Sequence, residues 1–212
     1  MTTASDPRLI STRRALHGVA ELVLAGPQHA QTGEISLRSV PGGFATTHAP
    51  DLRVVGTDVV GASATVGING HTPATLASAL GVEARSLSQV YSDGSGLTPD
   101  DALEVDAHAA EQVAAAFAAG DAALRALAPG ETPILWPEHF DIGISVEEVN
   151  YGVSAGDTYL AVPYAYVGPW SPPAQDDFWN APFGRALPVD EIGDADAVLA
   201  FFSEGRRRAG RS

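Results

Sequence analysis

Cysteine and lysine are both missing from this 212-residue chain. Without cysteine there is no thiol nucleophile, no thiolate zinc ligand, no iron–sulfur cluster and no disulfide. Without lysine there is no Schiff base, so pyridoxal phosphate is not an expected cofactor. Nor can a P-loop nucleotide site be completed. Any catalyst must be assembled from His, Asp, Glu, Ser, Tyr, Arg, or a metal held by oxygen and nitrogen. Positive charge is scarce too: all 12 basic residues are arginine, set against 26 acids, for a net charge of −14. A nucleic-acid partner is therefore not expected, because such proteins need a cationic surface to displace counterions from phosphate. The one basic cluster, Arg206-Arg207-Arg208 with Arg211, reads as cations at the negative end of a helix dipole. No apolar run approaches the ~18 residues of a membrane span, and no signal-type apolar region follows Met1. No membrane partner is expected, and a cytoplasmic location is.

What is present reads as a single α+β domain over 1–212, a largely antiparallel sheet packed by one long central helix, with helices at both termini. Asp6-Pro7 opens a helix over 6–26 and Gly26-Pro27 closes it. His17 and Glu21 stand four apart on that helix and read as a surface pair. A first strand group spans 33–70, turning at Pro41-Gly42-Gly43. Thr72-Pro73 starts a short helix that Gly81 stops. Asp106 caps the long helix, 106–128, whose Val113, Phe117, Gly120, Leu124 and Leu127 fall on one face. Motif-bearing strands follow over 133–170, then a Pro-rich aromatic loop over 171–188 and a C-terminal helix over 194–208.

The unusual residues concentrate in Trp136-Pro137-Glu138-His139-Phe140-Asp141. From His139 to Val146 a period of two places Phe140, Ile142, Ile144 and Val146 on one side of a strand. His139 and Asp141 then project together from the other side, about 6.7 Å apart. An imidazole beside a carboxylate can serve as a general base or hold a metal, so both residues are candidates for either role. A structural His–Asp hydrogen bond accounts for the same pattern. Gly152-Val153-Ser154-Ala155-Gly156 matches the nucleophile-elbow spacing, but extended sequence follows it and no histidine lies beyond His139, so Ser154 is expected in a turn between strands. The loop from Asp93 fails as a calcium loop, having Leu97 and Thr98 where a ligand and a glycine are needed. Aromatic residues crowd the last third of the chain. Tyr151, Tyr164, Tyr166, Trp170 and Trp179 are candidates to wall a ligand pocket.

The string Leu135 to Asp141, with Gly152-x-Ser154-x-Gly156-Asp157, Pro163-Tyr164-x-Tyr166-Val167-x-Pro169-Trp170 and Phe178-Trp179-Asn180, resembles a set of uncharacterised, mainly actinobacterial proteins. It is distantly similar to a bacterial domain-of-unknown-function family that carries Trp-Pro-His-His-Phe-Asp in the first position, over residues 132 to 183. Glu138 stands where that family has the first of its paired histidines, which weakens a two-histidine metal site. The resemblance implies no activity. The expected function is a soluble protein with a small-molecule pocket around His139 and Asp141. A metal-dependent or His-based hydrolase is one alternative. A non-catalytic scaffold or homo-oligomerisation module is the other.

Overall fold

The computed structural model describes residues 6–210; Arg211 of the basic cluster lies outside them. The fold is α+β: ten antiparallel strands, a long central helix and helices at both termini. The chain divides into two compact units, Met1–Ala115 with Leu135–Phe140, and Ala116–Ile134 with Asp141–Ser212. No helix among the described residues is long and apolar enough to cross a membrane.

The first unit opens with α1 (Pro7–Gly18). Asp6 caps it by accepting the Arg8 N–H at 2.9 Å, and Pro7 sits in the first turn, where no N–H is required. The expected stop at Gly26-Pro27 does not occur. A π-helical segment, Val19–Ala25, carries the chain into α2 (Gly26–Thr32), which ends at Gly33 with a left-handed φ of 81°. The Gly26 N–H bonds five residues back, to Glu21 O. That wider turn just ahead of Pro27 relieves the clash its ring would make with the carbonyl four residues back in α-register. The cost of the irregular register is offset by burial, since every residue of Val19–Ala25 is buried.

The strands β1 (Leu37–Val40), β2 (Gly43–Thr46), β3 (Arg53–Val55), β4 (Asp58–Val60) and β5 (Thr65–Gly67) follow as a meander. Helix α3 (Pro73–Ala79) starts from a reciprocal Thr72–Thr75 capping box. Buried Gln28 ties α2 to the strands: its Nε2 donates to Glu34 O and Ser36 O, and its Oε1 accepts the Thr47 and His48 N–H groups, each at 2.8 Å. Strand β6 (Ile134–Trp136) returns beside β1, Leu135 opposite Leu37.

Beyond Trp136 the chain is not strand. Residues 137–140 form a turn closed by the Phe140 N–H on Trp136 O at 2.9 Å, with Phe140 at a φ of 51°. A left-handed phenylalanine costs backbone energy, and here its ring gains a buried seat, stacked on His17 at 5.3 Å and edge-on to Phe44.

In the second unit, β7 (Asp141–Val146), β8 (Val149–Ser154), β9 (Tyr164–Pro169) and β10 (Arg185–Pro188) pair in sequence order. Period-two alternation sorts their side chains. Ile142, Ile144, Tyr151, Val153, Ala165 and Val167 share one buried face. The long helix α4 (Ala107–Leu127) lies against it through Gly120, where an added Cβ would sit 2.8 Å from Val153 Cγ2. Phe117 and Leu124 are fully buried, as their spacing predicts, whereas Leu127 at the end of the helix is only partly covered. Helix α6 (Ala195–Arg208), capped by Asp194, covers the same face, with Phe202 edge-on to Tyr151 at 6.0 Å. A short helix, α5 (Val189–Ile192), precedes it.

Candidate functional site

The other face of the second unit's strands carries Asp141, Gly143 and Ser145 on β7, Asn150, Gly152 and Ser154 on β8, and Tyr164 and Tyr166 on β9. Gly143 pairs with Gly152 and Gly152 with Tyr166, so two glycines stand side by side under one tyrosine. A Cβ at Gly152 would lie 2.5 Å from the Tyr166 hydroxyl oxygen and 2.6 Å from Cζ; one at Gly143 would lie 3.2 Å from the same oxygen. Glycine inside a strand sacrifices packing and marks a place where something must approach closely. Here it is the phenol of Tyr166, laid along the backbone with its hydroxyl donating to Asp141 Oδ2. Asp141 is buried at 7% exposure.

A second phenol–carboxylate pair lies one register step away. Tyr164 donates to Asp157 Oδ2 at 2.6 Å, while Asp157 Oδ1 accepts the N–H groups of Tyr159 and Leu160. Asp157 therefore shapes the connection between β8 and β9 and holds Tyr164 at once. Buried Ser154 accepts the Gly156 N–H at 3.0 Å. The rings of Tyr159, Tyr164, Tyr166 and Phe183 pack mutually at centroid distances between 5.2 and 6.4 Å. Both phenols titrate above the ordinary tyrosine value. For Tyr166 burial is the main cause, then the charge of Asp141; for Tyr164 burial again leads, then its bond to Asp157. They stay protonated at neutral pH, so they act as donors and not as bases.

The structure gathers some of the residues singled out from sequence and separates others. Asp141, Tyr164 and Tyr166 come together on one face. His139 does not share a strand with Asp141, because β7 begins only at Asp141 and His139 occupies the preceding turn. The imidazole is 60% exposed, with Glu138 Oε2 at 4.0 Å. Tyr151 points to the opposite, helix-covered face. Trp170 is 64% exposed and donates from Nε1 to Asn150 at 3.2 Å. Trp179 is buried edge-on to Phe178 in the Pro-rich loop. Ser154 ends β8, and the chain runs from it through the Asp157 turn into β9 with no helix between, as a strand-to-strand connection requires. Among the described residues no three His, Cys, Asp or Glu side chains are grouped to hold a metal ion.

A second polar cluster, in the first unit, departs from the sequence expectation. His17 and Glu21, expected as a surface pair, turn inward, His17 near the end of α1 and Glu21 within the wholly buried π-helical segment. Glu21 is 7% exposed, and Oε2 accepts both the backbone N–H of Ser95 at 2.9 Å and its hydroxyl at 2.7 Å. Nε2 of His17 lies 2.7 Å from Pro137 O, which makes it the donating nitrogen. Burial lowers the His17 pKa more than this bond and the Glu21 charge raise it, so the ring is neutral at pH 7. A sequence signal existed: Glu21 is the only polar residue in Val19-Ala20-Glu21-Leu22-Val23-Leu24-Ala25. Comparison of the chain with protein-family models, curated proteins and solved structures gives no match.

Proposed function

We propose that the protein is a cytoplasmic small-molecule binder whose recognition groups are Asp141, Tyr164, Tyr166, Ser154 and Asp157 on the polar face of the second unit's strands. One observation carries the reading. Two adjacent strand-interior glycines, Gly143 and Gly152, are given over to seating a single phenol on a single buried carboxylate. Burying a carboxylate is costly, and an apolar pair on the same strands would stabilise the sheet more cheaply. A fixed donor–acceptor array of this kind is what a small polar ligand requires.

The test is a thermal-shift screen of amines, polyols and amino acids against the wild-type chain, D141N and Y166F. Ligands that raise the melting temperature of the wild type should lose most of their effect in both variants, and W170A should respond as the wild type does. His139→Ala, which alters an exposed turn, should also leave the responses unchanged. Hits that respond equally in all variants would refute the assignment to this face.

A further inference from the structure

We propose that Asn69-Gly70 is a self-modification site: in the folded chain the side-chain amide of Asn69 is lost as ammonia, and the conversion loosens the segment that leads into α4. Asn-Gly occurs once in the sequence, and the other two asparagines precede Tyr151 and Ala181. The pair follows β5 and forms the corner of a turn, closed by the His71 N–H on Ile68 O at 3.3 Å, with Gly70 at a φ of 83°. Glycine takes this left-handed corner without a side-chain clash. Its missing side chain has a second effect, since nothing on Gly70 shields its nitrogen from the asparagine beside it. Both residues are exposed. They line an open cleft of about 430 Å³ whose other walls include Arg8, Glu104 and Asp106, so water reaches the turn.

The nucleophile is the Gly70 nitrogen. Among the described residues its N–H donates to no acceptor, so its proton leaves without breaking a hydrogen bond. The nitrogen lone pair bonds to Asn69 Cγ, the Cγ–Nδ2 bond breaks, and the amide departs as ammonia with the proton it gains. The product is a cyclic succinimide. Water then adds to one of its two carbonyls and opens the ring. Breaking the new Cγ–N bond leaves aspartate; breaking the original backbone C–N bond leaves isoaspartate. One water enters and one ammonia leaves, with no change of oxidation state. Attack between adjacent residues has a high effective concentration, so no catalytic side chain is required.

A clamp holds the reaction back. Asn69 Nδ2 donates to Val105 O at 3.0 Å, and Oδ1 accepts the Val105 N–H at 2.7 Å. These bonds fix the plane of the amide and hold its leaving nitrogen, so the reaction waits on local opening of the clamp. The same clamp gives the conversion its consequence. Residues 103–106 are tied down by the Leu103 N–H on His71 O at 3.0 Å, by Asn69 on Val105, and by the Asp106 N–H on Thr12 Oγ1 at 2.9 Å. Asp106 in turn caps α4 by accepting the Ala109 N–H. Conversion removes the Nδ2 donor and sets a negative oxygen against Val105 O, in a cleft already lined by Glu104 and Asp106. The middle tie fails, and the start of α4 loosens.

The experiment ages the full chain in mildly alkaline buffer and follows the tryptic peptide 54–85, released at Arg53 and Arg85, by mass spectrometry. The folded chain should exchange ammonia for water at Asn69, giving aspartate and isoaspartate, while the peptides carrying Asn150 and Asn180 keep their masses. N69Q, whose longer side chain closes the ring poorly, should keep the mass of its peptide over the same period. The wild-type chain unfolded in urea should react about tenfold faster or more, the protection that two side-chain hydrogen bonds of ordinary strength supply. N69D, which installs the product directly, should lower the melting temperature by about 2–6 °C. Three results would overturn the proposal: no conversion in the folded chain by the time the unfolded chain has fully reacted, equal rates with and without urea, or N69D melting with the wild type.

Discussion

Substituting Gly152 by alanine adds one methyl group at the most confined point of the proposed recognition face. The new carbon would meet the Tyr166 hydroxyl oxygen at 2.5 Å, Tyr166 Cζ at 2.6 Å and the Ile142 carbonyl oxygen at 2.7 Å. The carbonyl belongs to the paired strand and cannot move without opening the ladder, so the tyrosine must leave its seat. Overpacking of this kind costs about 1–3 kcal/mol. Displacing the phenol also removes the donor from Asp141, a hydrogen bond to a charged group worth about 1.5–3 kcal/mol. Together these effects should make G152A destabilise the protein by about 3–5 kcal/mol, a large loss for one methyl group.

The mechanism makes a sharper claim than the magnitude. If the ring is what the methyl displaces, the two positions must be coupled. In a Tyr166→Ala background the ring is gone, and introducing Gly152→Ala should cost only about 1–2 kcal/mol, from the Ile142 carbonyl that remains. Urea titrations of wild type, G152A, Y166A and the double variant measure the coupling, given unchanged m-values. A coupling energy above about 1 kcal/mol is expected. Additivity within about 0.5 kcal/mol would show that Gly152 does not exist to seat Tyr166, and the reading of that face would fail with it.

Two further predictions concern the frame around the sites. Phe117 is fully buried on the sheet-facing side of α4, so Phe117→Ala should cost about 3–5 kcal/mol in a denaturant titration, and a loss under about 1 kcal/mol would contradict the packing described. His17 should make the protein less stable in acid: its folded pKa lies below its ordinary 6.5, so the unfolded chain binds the proton more readily. Its contribution is then fully present above about pH 7.5. It declines as pH falls through about 6.5 toward the folded value, by at most about 1.4 kcal/mol per pH unit for one proton. H17Q should flatten that slope in urea midpoints taken between about pH 5 and 7.5, and an unchanged slope would remove His17 as its cause.

What the sequence disclosed follows from how far each signal reaches. The α4 face and the buried face of β7 are legible because both depend on spacing within one element. Three or four residues to a turn and two to a pleat are local rules, and Phe117, Leu124, Ile142 and Ile144 obey them. The same rule misplaces His139, carrying the strand two residues too far toward the N-terminus. Apolar alternation continues unbroken through Phe140, yet the backbone there is in a left-handed turn. Phe140 is buried by stacking on His17, some 120 residues away in sequence by the span of the His17–Pro137 bond, and not by lying on a strand face. An apolar residue in phase with a strand cannot be told from one in a turn when both end up buried.

The glycines show the complementary limit. Gly143 and Gly152 read in sequence as gaps in two strands, and each alone suggests a weak point. Their meaning arises only from register, which sets them side by side and brings Tyr166 across them. Register is decided by long-range pairing, so no window of sequence contains it. Glu21 is the converse case, in which a local signal is present but points the wrong way. A single carboxylate in an apolar run is a surface residue if the helix keeps its α period, and the His17 spacing assumes that it does. The segment here is π-helical and buried throughout, carboxylate included, and the residue that favours the wider turn is Pro27, six positions downstream of Glu21. Proline there reads in sequence as the end of a helix; in the structure it is the cause of a change in pitch. The buried acid and the continued first helix thus meet at one change of pitch, just as the seat of Tyr166 rests on two glycines whose pairing no local rule contains.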